Sequence, residues 1–469
     1  MDSLNIPLER SAGPLYRQLY RYLAGEVQAG RLAAGEKLPS KRRLAADLGV
    51  SVNTVDTAYG MLAAEGYVQA RPRSGFTVCR LEQVAAPEAS LPVPAPEAPR
   101  PAWRYDFETA GIDTSLFPFK TWRRIQRDVL AGDPQLLNHG PRQGDEDLRA
   151  AIARHLREYR AVRCTPEQIV VGAGIEYLLG LLARLFCQSR FAVEDPGYAR
   201  TARILQNNGV TAVPVPVDGQ GLRADALARS GAAIAYVTPS HQFPTGVTMP
   251  AARRYELLAW AGAAPGRFLI EDDYDSEFRF DSRPLPSLQG LDEAGRVLYI
   301  GTFSKSVAPA IRIAYLVLPP ALLPRWRAAF GFYSCTVSRI EQKTLCRFME
   351  SGAFARHLGR LRTAYRARRD ALAVALKEAL PGAAIAGAHT GLHLLLTPGG
   401  PATEAQLVAS AAGEGVHLMG LSTYYRGAAS HAGPPTVVLG YAGLPAADIA
   451  PAVAALKRAW GAGAEEKGR

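Results

Sequence analysis

"YIGTFSKSVAPAIRIAYLVLP", residues 299–319, sets Lys305 between two serines directly after one apolar run and seven residues before Arg312, which opens another. Short, uninterrupted apolar segments on either side of a polar turn read as strands buried on both faces, and such strands belong to a sheet covered by helices. The chain supplies further members of that sheet: QIVVGA (168–173), RFAVEDP (190–196), TAVPVPV (211–217), AAIAYVTP (232–239) and RFLIEDD (267–273). Helical stretches separate them, which predicts an α/β architecture with a mostly parallel sheet. A lysine in the crevice of such a sheet is a surface residue, a phosphate ligand or a Schiff-base amine, and its neighbours must decide.

At 469 residues with 48% hydrophobic content, the chain holds core enough for at least two domains. Residues 81–101 contain six prolines and five alanines with no apolar period, the composition of an extended linker. The predicted boundaries are a first domain over 1–80, the linker over 81–101, with a reach of up to about 65 Å, and a second domain over 102–460. Net charge is +11; residues 1–80 carry +4 and residues 102–469 carry +9, so the first domain has about twice the positive density, a mild preference for a polyanion there. No stretch approaches the roughly 18 apolar residues of a membrane span, and the N-terminus lacks a signal-peptide pattern. The expected location is cytoplasmic. The five cysteines show neither disulfide nor zinc spacing, and no metal site is expected.

In the first domain, LYRQLYRYLAGEVQAGRL (15–32) has helical apolar spacing. Ser40 is placed to cap a helix ending at Leu48, Gly49 to take a left-handed turn, and Ser51 to cap a helix through Leu62. That is a helix-turn-helix, whose second helix enters a DNA major groove with its first residues at base edges. GYVQARPRSGFTV (66–78) then reads as a two-stranded wing with Arg71 and Arg73 at its tip. Asn53 and Thr54 are candidates for base contact; Lys41, Arg42, Arg43, Ser51, Arg71 and Arg73 are candidates for the rest of the DNA surface. A plain helical bundle with a hairpin has the same outline.

Around Lys305, the demands of a Schiff base to pyridoxal phosphate can be checked one by one. It needs an acid for the ring nitrogen, a donor for the ring oxygen and ligands for the phosphate. FLIEDDYDSEF (268–278) ends a strand in acids, with Asp272 and Tyr274 two residues apart and so on one side of an extended chain. VVGAGIEYLLGLLARLF (170–186) reads as strand, glycine turn and helix, placing the amides of Ala173, Gly174, Ile175 and Glu176 to cradle a phosphate. Ser304 and Arg312 flank Lys305 and complete that shell.

Residues 14–68 closely resemble the winged helix-turn-helix of GntR-type bacterial regulators, departing at Val52, where many relatives have arginine, and at Pro72-Arg73 in the wing. Residues 105–460 resemble fold-type I aminotransferases. VTPSHQFPTG (237–246), IEDDYDSEF (270–278) and GTFSKSVAPAIRIAYLVLP (301–319) are more specifically similar to the MocR/GabR subfamily, in which the two are fused. The resemblance implies an N-terminal α+β winged domain, and a C-terminal α/β transferase domain with a smaller C-terminal subdomain. It also implies pyridoxal 5′-phosphate held on Lys305, a double-stranded DNA operator, and a homodimer whose DNA-binding heads pack on the partner's large domain. Tyr198 resembles the tyrosine stacked near the cofactor, and Arg200 the arginine that holds the acid group of an amino-acid-like effector. TVVLGYAGL (436–444) lacks the usual second arginine; Arg426 is the nearest candidate, or equally a loop arginine in solvent. Phe243 stands where aminotransferases carry an asparagine that bonds the ring oxygen, leaving His241 or Gln242 to compensate. The expected function is a pyridoxal-phosphate-dependent transcriptional regulator using its aminotransferase-like domain as a sensor, with a residual half-reaction possible. The rivals are an aminotransferase with a DNA-binding appendage and a regulator whose signal is pyridoxal phosphate itself.

Overall fold

The computed structural model describes residues 6–9, 11, 13–71, 75–81, 102–281, 285–426 and 433–461, so Arg73 and nearly all of the predicted linker lie outside the described residues. The chain divides into two compact units, residues 1–100 and 101–469.

In the smaller unit, α1 (Leu15–Gln28) buries Leu19, Leu23, Ala24 and Val27 along one stripe. α2 (Lys41–Leu48) starts at Ser40, whose Oγ accepts from the Arg43 amide at 3.2 Å, and stops at Gly49 with φ 64°. α3 (Val52–Ala64) starts at Ser51, whose Oγ accepts from the Thr54 amide at 3.1 Å. It runs two residues past the predicted end at Leu62. The chain turns off only at Gly66, where the amide of Tyr67 reaches back to the Leu62 carbonyl. β1 (Val68–Arg71) and β2 (Gly75–Val78) pair antiparallel, with Val68 opposite Val78 and Arg71 opposite Gly75. Tyr59, fully buried, ties these parts together: its hydroxyl donates to the Pro39 carbonyl at 3.0 Å and its ring meets Phe76 edge-on.

The larger unit opens with β3 (Tyr105–Asp106), α4 (Phe119–Gly132) and α5 (Glu146–Arg160). Its main sheet is built from β4 (Ile169–Gly172), β5 (Phe191–Asp195), β6 (Ala212–Asp218), β7 (Gly221–Leu222), β8 (Ile234–Val237), β9 (Phe268–Asp273), β10 (Val297–Thr302) and β11 (Ala314–Val317). Their order is β4-β11-β10-β9-β8-β5-β6-β7. The pairs from β10 through β9, β8 and β5 to β6 are parallel; β11 runs against β10 and β4, and β7 against β6. All residues of β4, β8, β9, β10 and β11 are buried, which is why these strands are largely apolar without alternation, the acids at the end of β9 being the exception. Separate apolar cores fill the two faces, one including Ile152 and Leu156 of α5 and the other Leu178, Leu182 and Leu185 of α6 (Ile175–Leu185), which follows β4. α7 (Ala199–Asn207) follows β5.

The smaller C-terminal subdomain carries β12 (Ala384–Ala386), β13 (His393–Thr397), β14 (Val416–His417), β15 (Met419–Gly420) and β16 (Val437–Gly440). Four of them form an antiparallel sheet in the order β12-β13-β16-β15, packed with Leu372 and Leu376 of the helix Ala353–Ala379. β14 pairs in parallel with β3, so the chain beyond residue 102 begins on this subdomain and then passes to the rim of the main sheet.

Candidate cofactor site and DNA surface

The parallel strands all end on one edge of the main sheet, and the antiparallel β11 brings its starting end to the same edge. Gly174 therefore follows β4, Tyr198 follows β5, His241 and Phe243 follow β8, Asp272 ends β9, Lys305 follows β10 and Arg312 precedes β11. This is the carboxyl-end crevice where open α/β sheets take their ligands. Lys305 is half-buried there, and its Nζ donates to the carbonyls of Thr109, Ala110 and Gly111 at 2.6, 2.8 and 3.3 Å. Burial lowers its ammonium pKa to about 8, against the pull of Asp275 and Glu108.

The acids that close β9 have three different fates, set by strand alternation and by what each face meets. Glu271 accepts from the amides of Leu288 and Gln289 at 2.9 and 3.0 Å, pinning a neighbouring helix start. Asp273 is buried with its Oδ2 against Arg160 Nε at 2.7 Å and accepting from Ser276 and Tyr299 as well, while its Oδ1 lacks a partner among the described residues; this carboxylate is already matched by a guanidinium, which Asp272 is not. Asp272 accepts from Tyr236 through Oδ2, while its buried Oδ1 has no partner among the described residues. Burial, with Asp273, Asp275 and Glu194 nearby, raises its pKa to about 7. A buried carboxylate oxygen without a donor is costly, and it is the group a protonated ring nitrogen satisfies. Tyr274, half-buried, donates to the His241 carbonyl at 3.0 Å and lies 3.0 Å from His241 Nδ1, which in turn meets Asp275 at 2.9 Å.

At the start of α6, Gly174 takes φ +94°, and a Cβ built there would stand 2.3 Å from Arg312 Nη2. Only glycine lets this turn close on that guanidinium. The Ala173 amide donates to Thr336 Oγ1 at 3.0 Å and the Gly174 amide to the Gly172 carbonyl at 2.8 Å, so both are engaged. The amides of Ile175 and Glu176 belong to the first helical turn, where no intrahelical acceptor exists. Arg312, itself at φ 51°, donates to Glu176 Oε2 at 2.5 Å and to the Ala173 carbonyl at 3.3 Å. Ser304 Oγ lies 2.9 Å from Thr302 Oγ1. The cradle, the orphaned carboxylate oxygen and the amine on one rim fit a pyridine aldehyde bearing a phosphate.

Phe243 sits in an aromatic cluster, edge-on to Tyr198, Tyr274, His393 and Tyr424 with ring centres 5.1–6.3 Å apart. Gln242 is turned away to Glu194 and the carbonyls of Pro196 and Phe243, whereas His241 reaches Tyr274. Tyr198 is 43% exposed, and Arg200 lies over its ring at 5.9 Å. Arg426 is half-buried: its amide donates to Asp195 at 2.8 Å and its guanidinium to the Ala199 carbonyl at 3.3 Å, beside Tyr198. Residue patterns gave no hint of Thr336 or of the carbonyls of Thr109, Ala110 and Gly111, since a backbone oxygen has no signature in sequence.

On the smaller unit, Asn53 is exposed on the first turn of α3, and its backbone carbonyl accepts from the Thr57 hydroxyl at 2.9 Å. The Thr54 hydroxyl is tied to the Ser51 cap at 2.9 Å. Lys41 pairs with Asp56 and packs over Phe76, Arg43 lies 3.9 Å from Asp47, and Arg42 and Arg71 are exposed. Among the described residues no helix is long and apolar enough to cross a membrane, and no group of His, Cys, Asp and Glu is arranged to hold a metal ion.

Residues 15–78 match the family described as bacterial regulatory proteins, gntR family, and residues 112–456 match aminotransferase class I and II. The chain is 40% identical to an uncharacterized HTH-type transcriptional regulator, YdeL, of Bacillus subtilis (strain 168), over 95% of this chain and 97% of that one. It is 36% identical to MocR of Rhizobium meliloti, a probable rhizopine catabolism regulatory protein, over 93% and 92%. Among solved structures, a multiple substrate aminotransferase from Thermococcus profundus superposes with a TM-score of 0.68 at 25% identity, covering 77% of this chain and 92% of that one.

Proposed function

Because the chain belongs to the MocR-type transcriptional regulators, in which a GntR DNA-binding domain precedes a pyridoxal-phosphate-binding aminotransferase-like domain, we propose that this second domain works as a sensor of an amino-acid-like ligand rather than as a multiple-turnover enzyme. Pyridoxal phosphate supplies an aldehyde that condenses with primary amines and a ring that withdraws electrons from the bonds at that carbon. Lys305 would hold the aldehyde carbon through Nζ. Its lowered pKa leaves about a tenth of the amine neutral and nucleophilic at pH 7. Asp272 Oδ1 would accept the ring-nitrogen proton, and Tyr274 would face the ring oxygen with His241 and Asp275 behind it. The first-turn amides of Ile175 and Glu176, with Ser304 and Arg312, would hold the phosphate, and Tyr198 would flank the ring. The carbonyls of Thr109, Ala110 and Gly111, to which Nζ donates, would hold the Lys305 ammonium whenever it is not bonded to the cofactor. Arg200 would bind the ligand's acid group, its planar fork suiting a carboxylate or sulfonate; Arg426, committed to Asp195 and Ala199, would brace that loop.

The observation that carries the sensor reading is Phe243. It fills with aromatic packing the position from which an amide would bond the ring oxygen, and Gln242 is engaged elsewhere, which supports a domain that retains ligand exchange at Lys305 while the cofactor is tuned away from turnover. A homodimer, with each DNA-binding head meeting one of two half-sites a whole number of helical turns apart, completes the proposal. The test is operator binding by the holoprotein, measured by fluorescence anisotropy, with γ-aminobutyrate, taurine and small α-amino acids added in turn. One of them should change both the DNA affinity and the cofactor absorbance without repeated conversion to a keto product. Sustained catalytic turnover with a keto-acid acceptor would instead make the domain an enzyme.

A second reading, in which pyridoxal phosphate itself is the signal, is favoured by the ion pair between Glu176 and Arg312, which ties up the phosphate-binding cation.

A further inference from the structure

Glu176 occupies the first turn of α6, and its carboxylate folds back over the start of the helix. Oε2 accepts from Arg312 Nη2 at 2.5 Å, and Oε1 lies 3.7 Å from Arg200 Nη1. Oε2 is also 3.2 Å from where a Cβ on Gly174 would stand, so the carboxylate covers the mouth of the glycine turn. One anionic side chain thus sits between two arginines at the site where a phosphate would meet the same turn and the same Arg312.

We propose that Glu176 is an internal competitor for the cofactor's phosphate and sets how tightly this regulator holds pyridoxal phosphate. The inference rests on the reading that the crevice around Lys305 holds that cofactor. A phosphate ester brings nearly two negative charges to Arg312, and Glu176 already neutralises part of the positive field there. Seating the phosphate requires Glu176 to leave Arg312 and then to remain as a like charge at the rim. Two like charges a few ångströms apart near a protein surface repel appreciably, though water reduces the effect at an exposed pair. The Arg312 and Glu176 side chains are 50% and 40% exposed, which lets the carboxylate swing into solvent; it therefore weakens occupancy without blocking it. An acid in the first turn also favours the helix dipole, which alone would make Glu176 a purely structural residue. The two roles differ in one respect: only a competitor discriminates between ligands with and without a phosphate.

The experiment compares wild type with Glu176→Gln, which keeps the size and the helix turn, and with Glu176→Ala as a second variant. Each full-length protein, freed of cofactor, is titrated with pyridoxal phosphate and with pyridoxal, following the visible absorbance of the Lys305 adduct. Both variants should bind pyridoxal phosphate about two- to fivefold more tightly than wild type while binding pyridoxal unchanged. Inorganic phosphate should compete better in the variants. Unchanged affinity for pyridoxal phosphate, or an equal shift for pyridoxal, would overturn the proposal. If wild type forms no adduct at Lys305 with either compound, the reading of the crevice itself fails; if it forms one and the variants bind no tighter, only the role of Glu176 fails.

Discussion

Asp272→Asn isolates the buried acid at the end of β9. The side chain keeps its volume and, through its carbonyl oxygen, the bond from Tyr236, but the lone oxygen at Oδ1 becomes an amide that no longer carries charge. A hydrogen bond to a charged partner contributes roughly 1.5–3 kcal/mol, so losing the pairing between carboxylate and ring nitrogen should weaken pyridoxal phosphate binding about 10- to 150-fold. The cofactor-free protein should respond in the opposite sense. Burial, reinforced by Asp273, Asp275 and Glu194, raises the Asp272 pKa from 3.8 to about 7. The folded state therefore holds a proton on this group more tightly than the unfolded chain does, and its contribution to stability falls as pH rises from about 4 through 7. Above that range wild type carries a buried charge that asparagine removes, so cofactor-free Asp272→Asn should melt above wild type at pH 8 and lose that advantage near pH 4. The assay is a pair of titrations, one with pyridoxal phosphate and one with its analogue carrying carbon in place of the ring nitrogen, together with thermal melts at the two pH values. The variant should lose affinity only for the natural cofactor. Equal losses for both ligands, or a variant that melts below wild type at pH 8, would refute the assignment of Asp272 to the ring nitrogen.

Gly174→Ala should reduce cofactor affinity by tenfold or more, because its Cβ would collide with Arg312 at a backbone angle that alanine rarely adopts; absorbance titration checks this, and normal affinity would exclude the glycine turn from the phosphate site. Ser51→Ala removes the cap of α3 and should destabilise the DNA-binding unit by about 1 kcal/mol, read by denaturant unfolding of the full chain followed at a probe placed in that unit. Arg42→Ala should weaken binding to all DNA sequences and lower the slope of log affinity against log salt by about one, whereas Asn53→Ala should relax preference among bases; binding isotherms at several salt concentrations separate the two.

The main sheet was legible because burial on both faces demands continuous apolar strands: all seven segments picked out by composition are strands of the sheet. β7, β14 and β15 were not, since two-residue runs such as Met419–Gly420 carry too little pattern to stand out from loops. The helix-turn-helix was readable from its caps, Ser40, Gly49 and Ser51, each of which has a local chemical cause. In the site, Asp272, Tyr274, Lys305 and Arg312 could be placed on one rim from strand ends and spacing. What sequence could not give were relations between distant residues. The carbonyls around Lys305 lie nearly two hundred positions away, the acceptor for the Ala173 amide comes from Thr336, and the Glu176 carboxylate becomes notable only when Arg200 and Arg312 are seen on either side of it.

Cofactor capture in this protein turns on Lys305. Purified holoprotein should absorb in the visible, and reduction with borohydride followed by proteolysis and mass spectrometry should place the phosphopyridoxyl group on the single peptide containing Lys305, with Lys305→Ala losing both the absorbance and the label. A label on any other lysine, or a Lys305→Ala protein that keeps a reducible visible chromophore, would contradict it.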